Sequence, residues 1–214
     1  MKLAVIFDMD GVLVDSEKFI CEAAILMFRE LGVKVNPEDF LPFVGTGEIK
    51  YIGGVASLYG VSEDAKHMKD RTYQIYEKIT RGKLEPLPGV FSFISKCKQK
   101  GLKIAVATSA DKVKMLINLK EIGLSEALFD ATINGLEVER KKPFPDIFIT
   151  AAAKLGFKPE ECLVVEDAVS GVKAAKAAGA KCLGLTTGFS REQLSEADWI
   201  AASLAEAPDE VLNW

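Results

Sequence analysis

The residues of this chain best suited to chemistry sit close to its start. Leu3-Ala-Val-Ile-Phe-Asp8-Met-Asp10-Gly11 is an apolar strand that ends abruptly in two carboxylates with a glycine behind them. Buried parallel strands favour Val, Ile and Phe. Carboxylates at the end of such a strand cost folding energy unless something cationic binds beside them. The carboxyl ends of strands are also where open α/β sheets bind ligands.

Two later segments repeat the pattern. Leu102–Ala107 reads as a buried strand and delivers Thr108 and Ser109, followed closely by a helix from about Asp111 to Ile122. Cys162–Val165 reads as a third strand and delivers Glu166 and Asp167. Four carboxylates gathered on one sheet edge repel one another and raise one another's pKa. Lys142, just before Pro143, is the one credible core cation, and a single lysine cannot balance four acids. A hard divalent cation on oxygen ligands can, and Mg²⁺ leaves room for water and a substrate phosphate. Hydroxyls and free N–H groups at a helix start suit that phosphate. Aspartate is also a known phosphoryl acceptor. Phosphoryl transfer through Asp8 is the reaction that uses every one of these parts.

These residues need elements to hold them. From residue 82 onward, short apolar strands alternate with amphipathic helices, so the pattern predicts βαβ units and a parallel sheet. Helices are expected from Pro88-Gly89 to about Lys100, over Pro145–Leu155 and over Val169–Ala178, with further strands at Ala131–Ile133 and Lys181–Leu185. Between the first strand and Pro88 no convincing strand occurs. Phe19, Ile20, Ala23, Ala24, Met27, Phe28 and Leu31 recur at helical spacing, and helices are expected over 17–31, 48–59 and 62–80. Pro37, Pro42, Gly45 and Gly47 break the middle of that segment. The expected fold is α/β: a Rossmann-like, doubly wound parallel core (1–14 and 82–214) with an inserted α-helical cap (15–81) over the carboxyl end of the sheet.

The bulk numbers agree with this. The 214 residues are 49% hydrophobic with a formal net charge of −4, enough for one sizeable core plus a small insertion. The mild acidity gives no support for nucleic acid or an anionic membrane as partner. No apolar run approaches the roughly 20 residues of a membrane span, and no signal-peptide pattern is present, so a cytoplasmic protein is expected. Cys21, Cys97, Cys162 and Cys182 lack CxxC spacing and read as reduced, packed thiols. A monomer is the default.

Taken in order, Asp8-Met-Asp10-Gly11-Val-Leu-Val-Asp15-Ser16, Thr108-Ser109, Lys142-Pro143-Phe-Pro-Asp146-Ile-Phe148 and Val165-Glu166-Asp167-Ala-Val-Ser-Gly171 resemble the motifs of the haloacid dehalogenase superfamily. The closest subgroup is the one with a helical cap after the first motif, which contains β-phosphoglucomutases and small-metabolite phosphatases. The resemblance implies Asp8 as nucleophile and Mg²⁺ ligand. It makes Asp10 the general acid/base, which also binds the metal through its backbone carbonyl. Thr108 and Ser109 hold phosphoryl oxygens, Lys142 neutralises nucleophile and phosphate, and Asp167 completes the metal site with Glu166 beside it. The substrate is then a small phosphorylated metabolite.

β-Phosphoglucomutases carry a His early in the first cap helix and an Arg in the Gly-containing cap loop. This chain has Ile20 or a neighbour at the first place and Gly45-Thr46-Gly47-Glu48 at the second. Hydrolysis is therefore expected over mutation, with a mutase, or a catalytically weak phosphate-binding protein, as alternatives. Asp15 and Ser16 are expected to cap the first cap helix, and Asp146 to start a core helix. His67, Lys66, Lys69 and Arg71 are expected to form a solvated cap face.

Overall fold

The computed structural model of the chain describes residues 4–43 and 47–214, so Leu3 of the first motif and Gly45-Thr46 of the cap loop lie outside the described residues. Six strands form one sheet: β1 (Ala4–Phe7), β2 (Lys103–Ala107), β3 (Ala131–Ile133), β4 (Cys162–Glu166), β5 (Lys181–Leu185) and β6 (Trp199–Ala201). Their order is β3-β2-β1-β4-β5-β6 and every pairing is parallel. This is the doubly wound arrangement, with the order reversing at β1. The sheet edge beside that reversal is the usual ligand crevice.

Both sheet faces are covered, which is why the strands read as nearly unbroken apolar runs. Val5, Phe7, Ile104, Val106, Leu163 and Val165 face one way and pack with α4 (Val90–Gln99) and α5 (Lys112–Glu121). Ala4, Ile6, Ala105, Ala107, Cys162 and Val164 face the other way, against α6 (Asp146–Leu155) and α7 (Val169–Ala178). The period-two alternation of each strand thus divides the core into two layers. All four cysteines are free thiols, three of them buried.

Three helices fill the interval after β1: α1 (Glu17–Glu30), α2 (Glu48–Leu58) and α3 (Ala65–Thr80). The periodic residues Phe19, Ile20, Ala23, Ala24, Met27 and Phe28 are buried, whereas Leu31 is 41% exposed because it stands past the last helical turn as its cap. A 3-10 stretch, Pro37–Phe43, occupies the proline-broken middle. The buried face of these helices belongs to the same apolar cluster as the α4/α5 side of the sheet. The two chain crossings lie side by side: Val14 bridges Pro86, and Leu87 N–H donates to the Leu13 carbonyl at 3.0 Å.

One strand was not foreseen. β6 has three residues and extends the sheet beyond β5, pairing Leu183 with Trp199. Its neighbour Asp198 accepts the Cys182 N–H at 2.9 Å and pairs with Lys176 and Lys181, which fixes the approach of this edge.

Packing between α4 and β1 yields a direct test. Phe93 meets Phe7 edge-on, with ring centroids 6.0 Å apart, and is 3% exposed, while Phe91 on the same helix is 52% exposed. Phe93→Ala should cost about 3–5 kcal/mol in urea unfolding, and Phe91→Ala within about 0.5 kcal/mol of nothing. Equal losses would mean that α4 does not dock by this face.

Candidate active site

The carboxyl ends of β1, β2 and β4 open into a cavity of about 660 Å³. All seven residues singled out from the sequence line it: Asp8, Asp10, Thr108, Ser109, Lys142, Glu166 and Asp167. Asp8 continues β1, its N–H donating to the Val165 carbonyl at 2.9 Å, and it is only 7% exposed. Thr108 leaves β2 and is fully buried. Its N–H donates to the Ile133 carbonyl, and its hydroxyl oxygen accepts the Ala110 N–H at 3.1 Å. Ser109 is half-buried beside it. α5 begins only at Lys112, so this hydroxyl closes a tight turn that precedes the helix.

Lys142 provides the charge balance. Its side chain is 8% exposed, and its ammonium donates to Asp8 Oδ1 at 2.5 Å and to Glu166 Oε1. The ammonium also lies 5.0 Å from the centroid of the Phe148 ring. Burial alone would lower the lysine's pKa, but Asp8 and Glu166 carry it above its ordinary value. Glu166 is wholly buried, and its other oxygen accepts the N–H groups of Asp167 and Ala168, both at 2.9 Å. It therefore holds the lysine and the turn after β4 at once. A Cβ on Gly171 would fall 1.9 Å from Glu166 Oε1, so the first turn of α7 admits only glycine there.

Oxygens of Asp8, Glu166 and Asp167 lie within 4.8 Å of one another. Desolvation by burial, assisted by the neighbouring acids, pushes Asp167 up to about 9. Burial likewise pushes Asp8 up to about 7 against the pull of Lys142. Asp167 sits against the chain turn at Gly11, whose φ is +75° and where a Cβ would meet Asp167 Oδ2 at 2.0 Å. The cavity lining offers oxygen donors, with no sulfur or imidazole among the described residues, and this is the donor chemistry of a hard cation such as Mg²⁺. The residues present fit that ion.

The surroundings of Asp10 correct two expectations. Lys142 is not the only core cation at the site, because Lys114 of α5 is 3% exposed and donates to Asp10 Oδ2 at 2.9 Å. Burial opposes its charge, but Asp10 and Glu48 hold its pKa above the usual lysine value. Ser16 stands at the N-cap of α1 but makes no capping bond; its hydroxyl donates to Asp10 Oδ1. Asn118 of α5 approaches the same oxygen at 3.4 Å and accepts the Tyr76 hydroxyl of α3 at 2.5 Å. Lys114 has no role assigned from the sequence, because a lysine within a helix reads as solvent-facing. The signal that could have found it is its place one turn from Asn118 and adjacent to buried Met115.

The cap cations divide. Lys66 and His67 are exposed, and Arg71 forks onto Glu30 at the surface, as a solvated face requires. Lys69 departs from that expectation: it is 7% exposed and pairs with Asp111 at the start of α5, tying α3 to the core. Asp146 opens α6 and pairs with Arg140 at 2.9 Å, as anticipated for a helix start. Asp15 is exposed near Lys18.

The family profile described as "Haloacid dehalogenase-like hydrolase" matches residues 5–185. The chain is 46% identical over 91% of its length to Protein SUPPRESSOR OF QUENCHING 1, chloroplastic, of Arabidopsis thaliana, and spans only 19% of that relative. It is 32% identical to the Phosphorylated carbohydrates phosphatase of Thermotoga maritima, covering 82% of this chain and 81% of that one. The crystal structure of CbbY from Rhodobacter sphaeroides in complex with phosphate superposes with a TM-score of 0.89 at 25% identity over the whole of both chains. The chain belongs to the haloacid dehalogenase-like hydrolase family.

The charge balance gives a stability test. Acids whose folded pKa lies above the unfolded value keep protons in the native state alone, so stability falls as pH climbs from 3.8 toward about 9. Lys142→Met removes the cation and steepens that fall. The expected loss is about 3–5 kcal/mol at pH 8 and clearly less at pH 5, read from urea midpoints. A loss independent of pH would show that the lysine acts by packing alone.

Proposed function

We propose that the chain is a Mg²⁺-dependent phosphatase that hydrolyses a small phosphorylated metabolite, a sugar phosphate, through an aspartyl-phosphate on Asp8. The observation that carries this is the Asp8 carboxylate at the cavity wall. It lies 2.5 Å from the Lys142 ammonium and shares the cavity with Asp10, Asp167 and the hydroxyls of Thr108 and Ser109. The name of the Thermotoga relative, a phosphatase of phosphorylated carbohydrates, supports the same reading.

Asp8 attacks phosphorus in line, forming an O–P bond as the ester O–P bond breaks. Asp10 gives its proton to the leaving alkoxide, then takes one from the water that hydrolyses the acyl phosphate. Lys142 neutralises charge on the equatorial oxygens, and Thr108 and Ser109 donate to them. Glu166 keeps the Lys142 ammonium on the Asp8 side. Mg²⁺, held by Asp8, Asp167 and the Asp10 carbonyl with Glu166 adjoining, would supply further neutralisation of the phosphoryl oxygens.

The domain reading goes with this chemistry: a core of 1–14 and 82–214 carries the reaction, and a cap of 15–81 selects the molecule that reaches it. A phosphoglucomutase must also bind the second phosphate of a bisphosphate. The lysines among the described lining residues, Lys114 and Lys142, both come from the core, which favours hydrolysis over that alternative. No helix among the described residues is long and apolar enough to cross a membrane. A monomer in the cytoplasm stays part of the proposal, alongside a relative whose own name is chloroplastic.

Asp8→Asn should lower Mg²⁺-dependent phosphate release from a panel of phosphate esters by more than about 10³-fold. Appreciable turnover by that variant overturns the nucleophile assignment. Mg²⁺ should raise the melting temperature of the wild type and of Lys96→Ala, a surface control. It should fail to do so for Asp167→Asn, and an equal rise in all three counts against the metal site.

A further inference from the structure

The two ends of the cavity have opposite charge. At the core end stand Lys142 and Lys114, each already engaged with a carboxylate. The cap end is lined by Asp15, Glu17 and Glu48, and none of the described cap residues that line the cavity is a lysine or arginine. Glu48 stands out among these acids. It lies in the first turn of α2, is 8% exposed, and lines the cavity. Its Oε2 is buried without a hydrogen-bond partner among the described residues. The buried Tyr73 hydroxyl stands beside Glu48, on the side away from the cavity lining. Buried carboxylate oxygens left bare are rare in folded proteins, and one on a cavity wall calls for a donor from the ligand.

Resting on the phosphatase reading above, we propose that Glu48 accepts hydrogen bonds from the hydroxyls of a singly phosphorylated polyol, so that the cap end of the cavity excludes bisphosphates and phosphorylated acids. Three features combine to this effect. The cap end supplies acceptors for hydroxyl donors, with Glu48 deep and Glu17 at the exposed mouth. Ile20, Tyr51 and Phe189 give apolar walls against which the carbon face of a sugar can lie. A second phosphate or a carboxylate placed there would meet a buried like charge whose neighbouring cation, Lys114, is already paired with Asp10, an arrangement that selects against such ligands.

The experiment measures kcat/KM with Mg²⁺ for singly phosphorylated hexoses, pentoses and glycerol. Each is paired with the bisphosphate and the phosphorylated acid of similar skeleton, for example glucose 6-phosphate with glucose 1,6-bisphosphate and 6-phosphogluconate. The best monophosphorylated polyol should exceed its charged partners by at least about tenfold. In Glu48→Gln, which keeps an acceptor and removes the charge, that ratio should collapse toward unity. A glutamate that served folding alone would depress all esters together and leave the ratio where it was, and that result overturns the proposal. A wild type that hydrolyses the bisphosphates or acids as well as the polyol esters overturns it too, as does one that prefers p-nitrophenyl phosphate to every polyol ester. Failure to release phosphate from any ester of the panel, p-nitrophenyl phosphate included, would instead refute the phosphatase reading. The same discrimination is then read from calorimetric dissociation constants of the paired esters on the turnover-deficient Asp8→Asn variant in Mg²⁺, with equal affinities counting against the proposal.

Discussion

The Lys142 ammonium, clamped between Asp8 and Glu166, is the interaction on which the rest of the site depends. Two buried acids and a half-buried one, brought within a few ångströms by the ends of β1 and β4, could not coexist in a folded protein without a cation among them. The lysine meets that need only in part, because Asp8 and Asp167 remain well above the ordinary carboxylate range even with it in place. The site is thus built under-neutralised. Folding this cluster costs free energy that an added positive charge would recover, and this is the electrostatic basis of the proposed Mg²⁺ and phosphoryl sites.

The geometry that permits this clustering is the topology of the sheet. β1 lies at the centre, flanked by β2 and β4, so the three chain turns that leave these strands are neighbours in space although their sequence positions span more than half the chain. The wall is closed by backbone that approaches unusually near. Gly11 and Gly171 leave room for the Asp167 and Glu166 carboxylates where any Cβ would collide. Glycine at these two places is a steric condition for the acids to converge.

This arrangement was largely legible in the sequence because strand ends are legible. An apolar run of four or five residues followed by Asp, Thr-Ser or Glu-Asp announces both the element and the side chain it delivers, and each of the six residues so read lines the cavity. Helix-borne polar residues leave a weaker trace. Lys114 and Asn118 interrupt the apolar stripe of α5 at places where a lysine and an asparagine suggest solvent, and both are buried. Lys69 was read as solvated for the same reason. Its partner Asp111 is distant in sequence, so nothing local foretells the pairing. β6 escaped because three residues behind Asp198 give no periodicity to read; it is defined by the edge of β5 more than by its own composition.

The helix α5 shows why these less legible residues matter. Asp111, Lys114 and Asn118 follow one another at three- and four-residue spacing, which aligns them along one side of a helix. That side faces two ways at once. Asp111 pairs with Lys69 and Asn118 with Tyr76, both from the cap helix α3, while Lys114 and Asn118 reach Asp10 at the end of β1. Ser16, at the chain crossing into the cap, reaches the same carboxylate. The position of Asp10 is therefore fixed jointly by the core and by the docking of the cap on α5. A displacement of α3 would loosen Asn118 and the Lys69 pair while leaving the Lys142 clamp untouched, because that clamp is made entirely of residues from β1, β4 and the segment before α6. The surroundings of Asp8, the proposed nucleophile, are consequently intrinsic to the sheet and its turns, whereas those of Asp10, the proposed acid/base, depend on the helices inserted after β1.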